Sequence, residues 1–426
     1  MAVFISDTLN RSPTVRPMPE TRLIQFIQSD APIAVEGCPE VLDHLRRVLP
    51  FWPFEELDHA ETDAEPFLTI RHSENRYHLT SPYLDAPKVI RDAVDVACSV
   101  AAQLAQSGNR AHPDWLCCHT AAVEFSGQLV MLPAIHKTGK STLTACLAAM
   151  DHRIFTDDYL PISVDDAGLI HGISSGIAPR LRLPVPEDFS DTLKAYFAAH
   201  MAVKGWQYGY LSMTPETLGK RGDRRPIGAV VLLDRDTEGN TLTSIEPASQ
   251  ADVLRRLIIQ NFAREGNAAR ALKILHFISD TVPLYSLRYS NAEDAAKTLS
   301  AYFAGGQNLA EAPVPFAGDL GAALPETYAN PGSAIDLAQP VARSPDVTDI
   351  AVEDQRFVVD HKGYAIHHLD AMSGAVWTAI ETPQTAAKVT DMFAHAFPDQ
   401  DRTLIAKDIE RTLRQFAARG LVVQKT

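Results

Sequence analysis

Apolar and polar positions fall into clear patterns from Pro66 onward. The run FLTIRHSENRYHLTS (67–81) alternates on both sides of Ser73-Glu74-Asn75, which predicts a β-hairpin. DAPKVIRDAVDVACSVAAQLAQSG (85–108) has helical spacing, with an aspartate at its start and Gly108 after its end. LCCHTAAVEFSGQLVMLPA (116–134) reads as a second hairpin turning at Ser126-Gly127, and its second strand leads into a loop and the helix STLTACLAAM. HRIFTDDYLPISVDDAGLIHG (152–172) follows as strand, acidic corner, strand and turn. Further on, GAVVLLDRD (228–236) is a buried strand by its β-branched run, SQADVLRRLIIQNFA an amphipathic helix, PLYSLRYS a strand and AEDAAKTLSAYFA a helix. Before Pro66 the pattern is weak: Pro-rich patches (RSPTVRPMPE, LPFWPFEE) surround one helical stretch, CPEVLDHLRRVL.

Composition shifts at about Gly305. Residues 305–344 are rich in Pro, Gly and Ala and hold no period, which predicts a linker. Beyond it, DIAVEDQRFVVDHKGYAIHHLD predicts three short strands, followed by helices around SGAVWTAIE, TAAKVTDMFAHAF and LIAKDIERTLRQFAARG and a last strand, LVVQ. The expected organisation is a region of uncertain structure (1–65), an α/β domain (66–304), the linker (305–344) and a small unit (345–426).

Charge and cysteine content narrow the class. The 426 residues carry a formal charge of −14 without a basic stripe, which argues against nucleic acid as a partner. Five cysteines (Cys38, Cys98, Cys117, Cys118, Cys146) without a C-x-x-C spacing suggest neither a disulfide framework nor a zinc site. No secretory signal and no run of about 18 apolar residues is seen, so a cytoplasmic protein without a membrane span is expected.

The loop Ala134-Ile135-His136-Lys137-Thr138-Gly139-Lys140-Ser141-Thr142 carries the chemistry. It follows the phosphate-loop pattern G-x-x-x-x-G-K-[ST], in which backbone N–H groups hold phosphate oxygens, the lysine reaches the β- and γ-phosphates and the hydroxyl holds Mg2+. Ala134 replaces the first glycine, a change that matters most where that residue needs positive φ. A helix and a strand later, Asp157-Asp158 offers paired carboxylates, one to accept a proton from an attacking hydroxyl and one to hold Mg2+. Asp234, ending VVLLDRD, is a rival metal-binding aspartate.

From His119 through Gly139–Thr142 to Asp157-Asp158, the run CCHTAAVEFSGQLVMLPAIHKTGKSTLTACLAAMDHRIFTDDYLPI resembles the core of HPr kinase/phosphorylase and its relatives. The resemblance implies an HPr-kinase-like P-loop core over about Pro66 to Ala304, binding ATP and Mg2+. It gives Lys140 to the phosphates, Ser141 and Asp158 to the metal and Asp157 to the acceptor hydroxyl as base, and it places His119 near the transferred group. Arg180 and Arg182 of GIAPRLRLP could clamp substrate or phosphate, or stand as solvated strand charges. The Arg-Pro-Gly-Arg-Asn segment of full-length HPr kinases has no match, so HPr itself is not the expected acceptor.

Residues 345–426, through YAIHHLDAMSGAVWTAIE and DIERTLRQFAARGLV, resemble the PqqD-like family. That implies a winged-helix-like fold binding the leader of a precursor peptide as an added strand. Together the two resemblances imply a kinase acting on Ser or Thr of a ribosomally made peptide, with other peptide-modifying enzymes as further partners. A homo-oligomer is open, since HPr kinases assemble as hexamers. The competing readings are a non-catalytic nucleotide-binding scaffold that delivers peptide, and a small-molecule hydroxyl kinase.

Overall fold

The computed structural model describes residues 21–27, 31–57, 64–82, 84–135, 138–239, 241–261, 268–320, 334–345, 347–360, 363 and 365–424. The first layer holds β1 (Thr21–Phe26), β2 (Ile33–Glu36), α1 (Glu40–Val48), β3 (Phe54–Leu57), β4 (Leu68–Ser73), β5 (Arg76–Thr80), β6 (Lys88–Ile90) and α2 (Ala93–Ala111). Its six strands run in the order β3-β1-β2-β4-β5-β6. The expected boundary at residue 65 therefore falls inside a sheet, because β2 pairs with β4 in parallel from Ile33↔Leu68 to Glu36↔Arg71. Glu74 and Asn75 turn β4 into β5 with φ of 52° and 57°, both in the left-handed region that a tight hairpin requires. The expected helix from Asp85 is shorter at its front. Lys88–Ile90 pairs with β5 instead, and Asp92 Oδ1 accepts the Val94 N–H at 2.7 Å to start α2. Its other end lies past Gly108, at Ala111.

The second layer carries β7 (Leu116–Cys118), β8 (Thr120–Phe125), β9 (Gln128–Pro133), α3 (Lys140–Ala148), β10 (Arg153–Thr156), β11 (Leu160–Val164) and β12 (Ile170–Ile173). A side sheet of β13 (Arg180–Arg182), β14 (Met201–Lys204) and β15 (Tyr208–Leu211) follows, with α4 (Asp191–His200) inserted. The chain returns through β16 (Arg224–Arg235), β17 (Ser244–Pro247), α5 (Gln250–Ile259), α6 (Ala268–Thr281), β18 (Leu284–Tyr289) and α7 (Ala292–Tyr302). The main sheet runs β10-β8-β9-β16-β12-β11-β7, with β18 beside β16 and β17 beside β18. Ser126 and Gly127 turn β8 into β9 with φ of 48° and 83°. The second hairpin was expected to begin at Leu116, but the chain breaks at His119: β7 pairs with β11 while β8 pairs with β9 and β10. Cys117 and Cys118 are buried in β7, and none of the five cysteines forms a disulfide among the described residues.

The C-terminal unit contains β19 (Val341–Arg343), β20 (Thr348–Val352), β21 (Gln355–Val359), β22 (Ile366–Leu369), α8 (Ala371–Ala379), α9 (Ala386–Ala396), α10 (Arg402–Ala418) and β23 (Val422–Gln424). Strand β19 lies in the expected linker yet pairs with β23, so the unit starts earlier than residue 345. The described front part of that stretch is also held: Ala310 N–H donates to Gly228 C=O at 2.9 Å and Phe316 N–H to Gly168 C=O at 2.8 Å. Phe316 and Leu320 pack on the core formed with α5 and α6, which is why a Pro/Gly-rich composition does not leave these residues loose.

Period-two geometry explains how the unit sits. Along β21, Val358 faces the core of Trp377, Val389 and Leu413, while Phe357 and Val359 face Leu257 and Ile274 of α5 and α6. The C-terminal half of β21 is thus buried on both faces. In the β20–β21 turn, Glu353 accepts the Ser249 hydroxyl at 2.7 Å and the Gln250 N–H at 2.9 Å, placing a carboxylate at the N-terminus of α5. No helix among the described residues is long and apolar enough to cross a membrane.

Candidate functional site

Strand directions bring the predicted residues together. β8 is antiparallel to both β9 and β10, so β9 and β10 run the same way and end at one edge of the sheet. Thr120 pairs with Pro133, which sets His119 beside the start of the loop, and Thr156 pairs with Ala122, so Asp157-Asp158 emerges at the same end. The corner is held by the Thr156 hydroxyl, which accepts N–H bonds from Asp158 at 3.2 Å and Tyr159 at 3.0 Å.

Ala134 is buried, packs in the main core and is not among the residues with positive φ. The first loop position therefore does not ask for glycine here. The last one does. Gly139 has φ 84° as N-cap of α3, and no side chain caps that terminus. Gly139→Ala is expected to destabilise the fold by about 1–2 kcal/mol, read from chemical denaturation. Ile135 is exposed, Thr138 is buried with its hydroxyl donating to Ile135 C=O at 2.9 Å, and Thr142 is half-buried in the first turn of α3. His136 and Lys137 lie outside the described residues.

Lys140 is 8% exposed, and its Nζ has no hydrogen-bond partner among the described residues. It stands 3.6 Å from Asp158 Oδ1. Burial lowers its pKa, opposed by the charges of Asp158 and Asp157. Asp158 also takes His119 Nε2 at 2.6 Å and Arg180 Nη2 at 3.6 Å. Desolvation would raise the Asp158 carboxyl, but the His119 hydrogen bond and the charges of Lys140 and Arg180 outweigh it and hold it well below the usual carboxylate range. Asp157 is 5% exposed and accepts the Arg180 N–H at 3.1 Å. Its pKa is raised by burial first, against the charge of Arg180 and the Ser141 hydroxyl, and with the help of the Asp158 charge. Two adjacent carboxylates are thus pushed apart, one toward holding a proton and one toward holding a positive charge.

Arg180 belongs to the site and Arg182 does not. The Arg180 guanidinium lies 4.9 Å from the Tyr208 ring centroid and reaches Asp158, whereas Arg182 is exposed and lies 5.7 Å from the same ring. Asp234 is also away from this cluster: its side chain is 67% exposed and faces Arg288 at 3.9 Å. A further contact was not foreseen. The His119 N–H donates to Gln260 C=O at 2.7 Å, so the end of α5 holds the backbone of the site histidine.

The residues present fit a nucleotide phosphate and a magnesium ion. An uncapped helix N-terminus and a buried ammonium without hydrogen-bond acceptors call for an anion. No group of three or more metal-ligating side chains occurs among the described residues. Ser141 and Asp158 would hold Mg2+ in the way this ion is usually bound, through one or two protein oxygens with phosphate and water completing the shell.

Comparison with known proteins defines the C-terminal unit. Residues 355–422, from β21 to β23, match the family model of coenzyme PQQ synthesis protein D (PqqD). The chain carries a PqqD domain at its C-terminus, behind a mixed α/β body. Among solved structures, TbiB1 in complex with the TbiA(beta) leader peptide is 19% identical, with 20% of this chain and 98% of that chain covered and a TM-score of 0.19. The Hpr(Ser) kinase/phosphatase from Coxiella burnetii is 9% identical, with 43% of this chain and 91% of that chain covered and a TM-score of 0.22. The curated proteins contain no match to the chain.

Proposed function

We propose that the chain is an ATP- and Mg2+-dependent phosphotransferase acting on a Ser or Thr hydroxyl of a ribosomally made precursor peptide, whose leader binds the PqqD domain. The observation that carries this reading is the buried, hydrogen-bond-free Lys140 ammonium at the N-terminus of α3, facing Asp157-Asp158 across the sheet end.

Each residue then has a task. The N–H groups of the loop and first turn of α3 bind phosphate oxygens, and Lys140 neutralises the β- and γ-phosphates. Asp157, with its raised affinity for a proton, orients the acceptor hydroxyl and takes its proton. Asp158 and Ser141 hold the metal, which when bound offsets phosphate charge. His119 and Arg180 fix Asp158, and Arg180 brings a second positive charge to the transferred group. The docking of the PqqD domain on α5 and α6 favours presentation of the peptide from a fixed position over delivery by a loose tether.

The test is phosphoryl transfer from γ-labelled ATP to a Ser- or Thr-containing precursor peptide, with and without its leader. Label on the leader-bearing peptide, with the leaderless one at least about tenfold poorer in kcat/KM, is expected. Equal use of both would remove the PqqD domain from substrate selection. Nucleotide binding without any transfer would favour the peptide-delivery scaffold.

A further inference from the structure

One cation at this end of the sheet has no task in the scheme above. Arg235 closes β16, which runs parallel to β9 and so reaches the same end as the loop. A Cβ placed on Gly139 would stand 3.1 Å from Arg235 Nη1 and 3.6 Å from the Tyr289 hydroxyl. Arg235 thus lies directly against the residue that caps α3. The Tyr289 hydroxyl, on a fully buried side chain, donates to the Thr138 C=O at 2.5 Å and fixes the loop at that point.

The surroundings of the guanidinium are incomplete. Arg235 Nε is buried without a hydrogen-bond partner, and no carboxylate pairs with this side chain among the described residues. Its neighbour Asp234 cannot serve, because adjacent strand residues point to opposite faces and Asp234 is turned to solvent beside Arg288. Arg235 is half-buried, and a guanidinium N–H sealed from water without an acceptor is costly unless an anion completes it. The groups beside it already select for an anion: an uncapped helix N-terminus and the buried Lys140 ammonium, which has no hydrogen-bond partner and only the Asp158 carboxylate at 3.6 Å.

We propose that Arg235 is a phosphate-binding residue, a further cation that acts beside Lys140 and Arg180 on the polyphosphate of the nucleotide. Its planar fork of N–H donors suits two oxygens of one phosphate group, where lysine offers a point charge. The proposal rests on the nucleotide reading of the loop, and it adds a residue that the phosphate-loop pattern does not contain.

Calorimetric titration with Mg–ATP and with inorganic tripolyphosphate tests it on the full chain. Arg235→Gln is expected to weaken both at least about tenfold, and Arg235→Lys to recover part of the loss. Wild-type affinity in Arg235→Gln would overturn the role of Arg235 and leave the loop reading standing. A wild-type chain that binds neither ligand would overturn the loop reading itself. Should Arg235→Gln fail to fold, phenylglyoxal labelling of the wild-type protein decides: Mg–ATP should protect Arg235, and unchanged labelling at saturating nucleotide would refute the proposal.

Discussion

Lys140→Met should lower phosphoryl transfer about a hundred- to a thousandfold, weaken Mg–ATP binding, and at the same time raise the melting temperature of the nucleotide-free protein. The two effects have one cause. The ammonium is buried with no hydrogen-bond partner, and burial disfavours its charged form. Its nearest charge, Asp158, is already served by His119 and Arg180, so removing the lysine does not leave that carboxylate alone. Methionine fills a similar volume without the desolvation cost. Calorimetric melting at neutral pH and initial rates of transfer give the two readouts. A variant both less active and less stable would mean that Lys140 is held for the fold instead of for a phosphate.

Asp157→Asn carries the second large effect. Transfer should fall about 10²–10⁴-fold while Mg–ATP affinity stays within a few-fold of wild type, because the amide keeps the shape of the corner but cannot accept the hydroxyl proton. The sign of the stability change follows from the raised pKa. Burial makes the folded chain bind this proton more readily than the unfolded chain does. The carboxyl therefore supports folding fully below its unfolded pKa, and that support is lost as pH rises through the higher folded value. Asparagine has no such dependence. The variant should gain on wild type in melting temperature toward neutral pH, and wild-type activity should show an acid limb set by the aspartate pair titrating together. Melting curves at a series of pH values, paired with rates, check both. A wild-type rate in Asp157→Asn would take the base role from Asp157.

These residues were legible in the sequence because the loop and the acidic corner are local patterns, and hairpin parity does the rest. Ser126-Gly127 announces the β8–β9 turn, and once β8 is flanked by β9 and β10, His119, the loop and Asp157 must share one sheet end. Non-local pairing was not legible. Strands β1 and β2 lie in a Pro-punctuated region, and only the parallel pairing of β2 with β4 shows that they complete the first sheet. Lys88–Ile90 reads as helix by spacing, yet β5 offers a free ladder and takes it.

Arg235 was hidden by its neighbour. In VVLLDRD an aspartate at a strand end draws the metal reading, but strand alternation turns Asp234 outward and sets Arg235 against the loop. The docking of the PqqD domain left a signal of a different kind. Phe357-Val358-Val359 is an unbroken apolar run, which suits a strand covered on both faces, and the structure gives it two separate cores. The composition of residues 305–344 pointed the other way, since Pro, Gly and Ala mark a linker whether or not single anchors, such as the partly buried Phe316 and the buried Val341, pack along it.

The most direct measurement is a single-turnover reaction of the intact chain with γ-labelled ATP, Mg2+ and a leader-bearing peptide containing Ser or Thr. The predicted result is label on a peptide hydroxyl with wild-type protein and none with Asp157→Asn, although that variant still binds the nucleotide. Label that stays on ATP, or leaves only as free phosphate, with the wild-type protein would contradict the assignment of the β9–β10 end of the sheet as a phosphoryl-transfer site.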